Sequence, residues 1–307
     1  MVAEKIKPFF FACVGPLKCG GACSAEHALI RLCCLCIVGQ IVHTLPEGKT
    51  VFGVTSLHGM IFVLRWKTTD QVEVYDVVTY CLQRCLTVPN ARGFADMTSC
   101  KHYHCVYISD PDSECIHRLD TQGQVTQWPV NDEPWSLSVN AARSVLVTCP
   151  DVRKIKEFSS HGDLQRELTL PDAVTDPWHA IQLRTGEFIV CHGGPGAAVH
   201  RTCMISADGD RIVHSHGGQP CSGTDQYSPV HLAVDNNEFV FVADFNNRRV
   251  TLLSPSLTCV RQVVSRDQLK WCPGQMCLDV QTRRLYVADN EWKDNNDTAG
   301  RVVVFSV

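Results

Sequence analysis

The chain has 307 residues, 45% hydrophobic and 20% charged, with 20 Gly and 15 Pro, which excludes a disordered, collagen-like or long coiled-coil polypeptide. That length exceeds most single cores, yet all-β sandwiches, barrels and propellers reach it as one domain. Because 28 basic side chains face 32 acidic ones, the net charge is only -4, and no global basic field points to nucleic acid or an anionic membrane. At the amino terminus, six of the 18 cysteines (Cys13, Cys19, Cys23, Cys33, Cys34, Cys36) crowd the first 36 positions. Lys5 and Lys7 before the apolar run Pro8 to Leu17 only loosely resemble a signal peptide, and the run Ala28 to Val42 is too short and is broken by Arg31, so no transmembrane helix is read here. The cysteine spacing lacks the C-x2-C pairs of a zinc finger. Residues 1–38 are therefore read as a Cys-rich leader, weakly ordered or helical.

From residue 39 onward the chain repeats. Gln40-Ile-Val-His-Thr-Leu45 is a lone strand, followed by a unit starting near Gly53 with Ile61 to Leu64 and Gln71 to Tyr75 as second and third strands. A second unit starts near Asp96, with Val106 to Asp110 and then Cys115 to Leu119. The third carries Pro134 to Val139, Val145 to Thr148, Val152 to Phe158 and Leu168 to Leu170, and the fourth opens at Pro177-Trp-His179. The fifth is the clearest copy: Pro229 to Asp235, Phe239 to Asp244, Asn247 to Ser254. The sixth matches it with Pro273 to Asp279, Leu285 to Asp289 and Gly300 to Ser306. Aligned on one first-strand position, the units give Gly53, Asp96, Ser136, His179, His231 and Gln275, at intervals of 43, 40, 43, 52 and 44. Short runs of Val, Ile, Leu, Tyr and Phe broken by Asp-Gly, Asn-Asn and Pro are β-strands, and four-stranded units at this spacing make a propeller. The expected fold is thus an all-β, six-bladed β-propeller over 39–307. The last unit stops after a third strand, so Gln40 to Leu45 is expected to pair with Arg301 to Phe305 and close the ring.

Val242-Ala-Asp-Phe-Asn-Asn-Arg-Arg-Val250 resembles the NHL repeat, with Asn247-Arg248-Arg249 standing at its signature element. The likeness is strong in the fifth unit, fair in the sixth and faint elsewhere. It implies a six-bladed propeller serving as a binding platform for protein or RNA, as at the carboxyl end of tripartite-motif ubiquitin ligases. No RING-type array or coiled coil accompanies it, so ligase activity is not carried over.

Two sites follow from this arrangement. First strands line the axis, so Gly53, Asp96, Ser136, His179, His231 and Gln275 should gather at one channel mouth. Asp96, His179 and His231 could there hold Zn²⁺ or Ca²⁺ for lyase or hydrolase chemistry, as in some six-bladed relatives. The competing reading is that they only hydrogen-bond neighbouring blades. The second site is the face formed by loops between second and third strands, carrying Arg65, Trp66, Lys67, Arg153, Lys154, Asn247, Arg248, Arg249, Trp292 and Lys293. Cations and aromatics together suit an acidic peptide or stacked single-stranded RNA, and acidic neighbours such as Asp70, Asp151 and Glu291 favour protein over RNA. Asp110, Asp244 and Asp289 end second strands at matching positions, where an Asp accepts backbone N–H groups of the following turn. His192-Gly-Gly-Pro-Gly196 has no G-x-S-x-G elbow to serve, and Gly48-Lys49-Thr50 lacks the upstream glycine of a phosphate loop. Cysteines after the leader sit in apolar runs and read as buried reduced thiols. The expectation is a cytoplasmic, non-catalytic platform without cofactor, binding protein or peptide first and RNA second; the alternative is the channel metal enzyme.

Overall fold

The computed structural model describes residues 39–66, 71–193, 199–217, 227–291 and 298–307; the leader, Lys67, Trp292 and Lys293 lie outside them. Six antiparallel sheets account for nearly all regular structure, and the only helical segments among the described residues are single 3₁₀ turns at Pro111–Ser113 and Arg266–Gln268. From the inside out, blade 1 is Val51–Leu57, Met60–Arg65, Gln71–Asp76 and Leu82–Thr87. Blade 2 is Asp96–Cys100, Cys105–Asp110, Cys115–Asp120 and Val125–Pro129; blade 3 is Ser136–Val139, Val145–Cys149, Lys154–Phe158 and Leu164–Thr169. Blade 4 is Pro177–Gln182, Phe188–His192, Arg201–Ile205 and Ile212–His216; blade 5 is Pro229–Val234, Val240–Asp244, Arg249–Leu253 and Cys259–Val264. Blade 6 is Cys272–Asp279, Arg284–Asn290 and Ala299–Ser306, with Gln40–Thr44 as its outer strand.

Closure follows the expected pairing. Ile41 lies opposite Phe305 and Thr44 opposite Val303, while Leu45 N donates to Val302 O at 2.9 Å. The short segment Gly48–Lys49 continues along the same strand, opposite Gly300 and Ala299, before the chain turns into blade 1. Each inner strand touches the next in chain order, and the sixth touches the first.

The core consists of apolar layers between blades, not one central mass. Val106 and Ile108 of blade 2 pack towards blade 1 with Phe62, Leu64, Val72 and Val74, whereas Cys105 and Tyr107 point the other way, to Leu137, Val145 and Val147 of blade 3. Side chains alternate across a strand, so a second strand sandwiched by two neighbours must be apolar on both faces. This accounts for the continuous apolar runs, with all six residues of Cys105–Asp110 buried. Outer strands face water, and Leu82–Thr87 is almost wholly exposed. Most later cysteines are free, with Cys100, Cys105, Cys115, Cys149, Cys191 and Cys203 buried among these layers. Cys259 departs from the reduced-thiol expectation, being disulfide-bonded. Among the described residues, no helix is long and apolar enough to cross a membrane.

Candidate functional site

Strand geometry carries Asp96, His179 and His231 into one buried group at the inner ends of blades 2, 4 and 5, with their ligand atoms all within 4.8 Å of one another. The two imidazole centroids are 3.8 Å apart, and His231 Nε2 is 3.5 Å from Asp96 Oδ2. The remaining polar atoms clasp adjacent blades. Asp96 accepts from Met97 N at 2.8 Å and, across the blade boundary, from Leu137 N at 2.9 Å. His179 Nε2 lies 3.2 Å from Leu137 O and donates to it, which leaves Nδ1 buried without a hydrogen-bond partner. His231 Nδ1 accepts from Met276 N of blade 6 at 3.3 Å, so its proton sits on Nε2, facing Asp96. Gln275 Nε2 reaches past blade 1 to Ala95 O at 3.4 Å. Gly53 lets the inner strands of blades 1 and 2 approach, since a Cβ there would stand 2.7 Å from Met97 Cγ. Ser136 is buried in the same layer.

Burial sets the protonation of the group. It pushes the Asp96 carboxyl up to about 7, against the pull of His179 and two backbone N–H donors. It drives His179 down to about 3, helped by the neighbouring His231, and His231 to about 3. Both imidazoles are therefore neutral at pH 7. In these tautomers the group offers a cation one imidazole lone pair, on His179 Nδ1, and one carboxylate; His231 joins only if it surrenders its bond from Met276.

The opposite use emerges for the basic loop face. Arg65 and Arg249, expected as exposed contacts, are each only 4% accessible. Arg65 donates Nε to Glu73 at 2.9 Å and its other nitrogens to the carbonyls of Pro46, Lys49 and Gly300 at 2.9, 3.0 and 3.1 Å. Arg249 Nε donates to Asp244 at 2.8 Å, and Asn247 Nδ2 donates to the same carboxylate at 2.7 Å. Arg248 ties down the carbonyls of Leu269, Lys270 and Trp271 at 2.6, 2.6 and 3.0 Å. Arg153 pairs with Asp172 and Lys154 with Glu167, both at 2.9 Å, and the Trp66 ring leans on Phe52 at 4.9 Å. Loop position implied exposure for these residues; Arg65, Arg248 and Arg249 instead give their charge to carbonyls and carboxylates of neighbouring strands and segments, whereas Arg153 and Lys154 stay partly exposed in surface pairs.

The three aspartates show the same device. Asp244 accepts from Ser228 N, Asp289 from Lys270 N and Trp271 N, and Asp110 from Arg92 N and Gly93 N. Each thus grips chiefly the segment entering its own blade; Asp110 also caps the turn that follows it, through Ser113 N, and Asp244 holds Asn247 Nδ2 of its own following turn. Arg65 is the charge-inverted version, donating to carbonyls where an aspartate accepts from N–H groups.

On the other face, formed by turns between first and second and between third and fourth strands, an exposed patch spans blades 1 to 3. Its parts are His58, Lys101, His102, His104, Arg143 and His161, with Tyr103 half-buried among them. His58 Nε2 meets His104 Nδ1 across the blade boundary at 2.6 Å, and Arg143 Nη1 lies 3.0 Å from His102 Nε2. Tyr103 packs against His102 edge-on and reaches towards His161, with ring centroids 6.5 Å apart. Lys101 spans to Asp279 of blade 6 at 2.8 Å. His58 holds φ +49 and Gly59 φ +78, as a two-residue turn between twisted strands requires. Reasoning from sequence missed this patch, although Lys101-His-Tyr-His104 in a tight turn is a visible signal.

Six four-stranded sheets around a channel, closed by an amino-terminal strand, define a six-bladed β-propeller. Neither a protein-family model nor any curated protein matches the sequence. Similar solved structures include virginiamycin B lyase from Staphylococcus aureus, at 11% identity over 85% of this chain and 98% of that one, TM-score 0.58. The PQQ-bound aldose sugar dehydrogenase from Streptomyces coelicolor gives 12%, 87%, 98% and 0.61. The Cps50 (Swd1) β-propeller domain of Myceliophteria thermophila gives 12%, 88%, 99% and 0.56. At such identity the likeness establishes the fold alone, and the neighbours' own descriptions range from a lyase and a dehydrogenase to a β-propeller domain.

Proposed function

We propose that this chain is a non-catalytic, NHL-like recognition platform that grips an acidic protein segment with the histidine-rich face. The observation that carries the reading is the contiguous patch of His58, Lys101, His102, Tyr103, His104 and Arg143 on adjoining turns. Imidazole, guanidinium and phenol groups offer several hydrogen-bond donors to carboxylates, with rings to pack on the peptide, while the Lys101 ammonium is already held by Asp279. The NHL-like element supports the fold more than the contact, since Asn247 and Arg249 both turn inward to Asp244. A displayed peptide library panned on the folded protein should enrich acidic sequences. Replacing His102 with Ala and Arg143 with Glu should weaken the selected peptide at least about tenfold, the equivalent of about 1.4 kcal/mol. Charge reversal at Arg153 should leave it unchanged. Enrichment of neutral sequences, or tighter binding of oligouridylate than of any peptide, would overturn the reading.

The second reading, a metal-dependent lyase or hydrolase centred on Asp96, His179 and His231, draws support from the unpartnered His179 Nδ1. It requires stoichiometric zinc or calcium that disappears when both histidines are replaced. The first reading requires metal content to be indifferent to that change.

A further inference from the structure

We propose that Asp110, Cys115 and His117 form a zinc site in blade 2, three protein ligands that leave the fourth tetrahedral position to a non-protein ligand. The chain places them in register: Asp110 ends the second strand, Cys115 lies directly opposite it across the ladder, and His117 follows two residues on, on the same side. Their ligand atoms lie within 4.8 Å of one another, and all three residues are buried. His117 Nε2 is 3.1 Å from Asp110 Oδ2 and 3.5 Å from Cys115 Sγ. Bond lengths of about 2.3 Å to sulfur and about 2.0–2.1 Å to nitrogen and oxygen put tetrahedral zinc ligands roughly 3.3–3.5 Å apart. The observed separations are close to that pattern. Both partners also converge on one nitrogen; a proton on Nε2 points to one of them, whereas a cation between the three serves all.

Comparison among the blades supplies an independent reason. In three other blades the buried charge at this position meets an opposite one: Asp244 with Arg249 and Asp289 with Arg301 at 2.8 Å, and Arg65 with Glu73 at 2.9 Å. In blade 2 the position of Arg249 and Arg301 is taken by Cys115, so the third strand offers Asp110 a thiol and an imidazole in place of a guanidinium. A carboxylate, a thiolate and a neutral imidazole around Zn²⁺ sum to zero charge. On binding, the Cys115 thiol releases its proton to solvent. The ion then performs the task of the arginines, tying the third strand to the residue that holds Arg92 N, Gly93 N and Ser113 N.

The test is zinc titration of the purified full chain, with metal content and cobalt(II) absorption read on the wild type and on Cys115→Ser, Cys115→Arg and the His179→Ala/His231→Ala pair. The wild type should carry one more equivalent of zinc than either Cys115 variant, and its cobalt form should show a thiolate charge-transfer band that they lack. The histidine pair should retain that equivalent. Cys115→Arg restores the arrangement of blades 5 and 6, so it should fold, and its melting should be insensitive to a chelator that lowers the melting temperature of the wild type. Equal zinc content and equal cobalt spectra in wild type and Cys115→Arg would overturn the site.

Discussion

At the scale of single residues, the propeller depends on buried polar groups whose partners belong to a different strand or blade. Removing one partner of such a pair leaves a charge without compensation, which costs about 3–5 kcal/mol. Asp244→Ala strands Arg249 and should destabilise the protein by that amount in denaturant unfolding; Asp172→Ala, on an exposed pair, should cost less than about 1 kcal/mol. Equal effects would contradict the distinction. The channel group makes a pH prediction. His179 and His231 titrate near 3 when folded against 6.5 when exposed, so the unfolded chain takes up protons first and stability falls as pH drops through 6.5. Asp96 acts in the other sense, since a folded value of about 7 against 3.8 favours the fold as pH drops over that window. Two histidines outweigh one carboxyl, so replacing both with Asn should reduce the stability lost between pH 6.5 and 3.8. Parallel profiles for variant and wild type would contradict this. The matching positions of Asp110, Asp244 and Asp289 were legible in sequence because they recur; their partners were not, because Ser228, Arg92 and Trp271 lie in irregular segments 16 to 18 residues earlier that only the folded blade brings back to them.

At the scale of the element, legibility follows burial. Second strands such as Cys105–Asp110 and Val240–Asp244 lie between two blades and read as unbroken apolar runs. Outer strands are half polar, so Leu164–Thr169 begins four residues ahead of the apolar Leu168 to Leu170 that marks it in sequence. The closing strand was found by a requirement for pairing, since an outer partner for Ala299–Ser306 was needed. Its anchor is Leu45, 1% exposed among Val51, Val54, Tyr286 and Val302. Leu45→Ala should therefore cost about 2–5 kcal/mol. Excision of residues 38–46 should lower the melting temperature far more than excision of residues 1–30, and equal melting of the two truncations would argue against a ring closed by this strand.

At the scale of the whole molecule, repeat spacing gave the blade number because each blade is one supersecondary unit whose neighbours bury it. The same logic did not predict exposure. Loop membership alone does not distinguish a cation that faces solvent from one that braces the ring, and Arg65, Arg248 and Arg249 belong to the second kind. What remains exposed and contiguous is the patch of imidazoles, Tyr103 and Arg143 on the other face, assembled from turns of three blades. Hydrogen exchange of the protein with and without a selected acidic peptide tests that assignment most directly. The account predicts added protection in the turns at residues 57–60, 100–105, 140–144 and 159–163. Protection confined to the opposite loops, around residues 150–154 and 245–249, would contradict it.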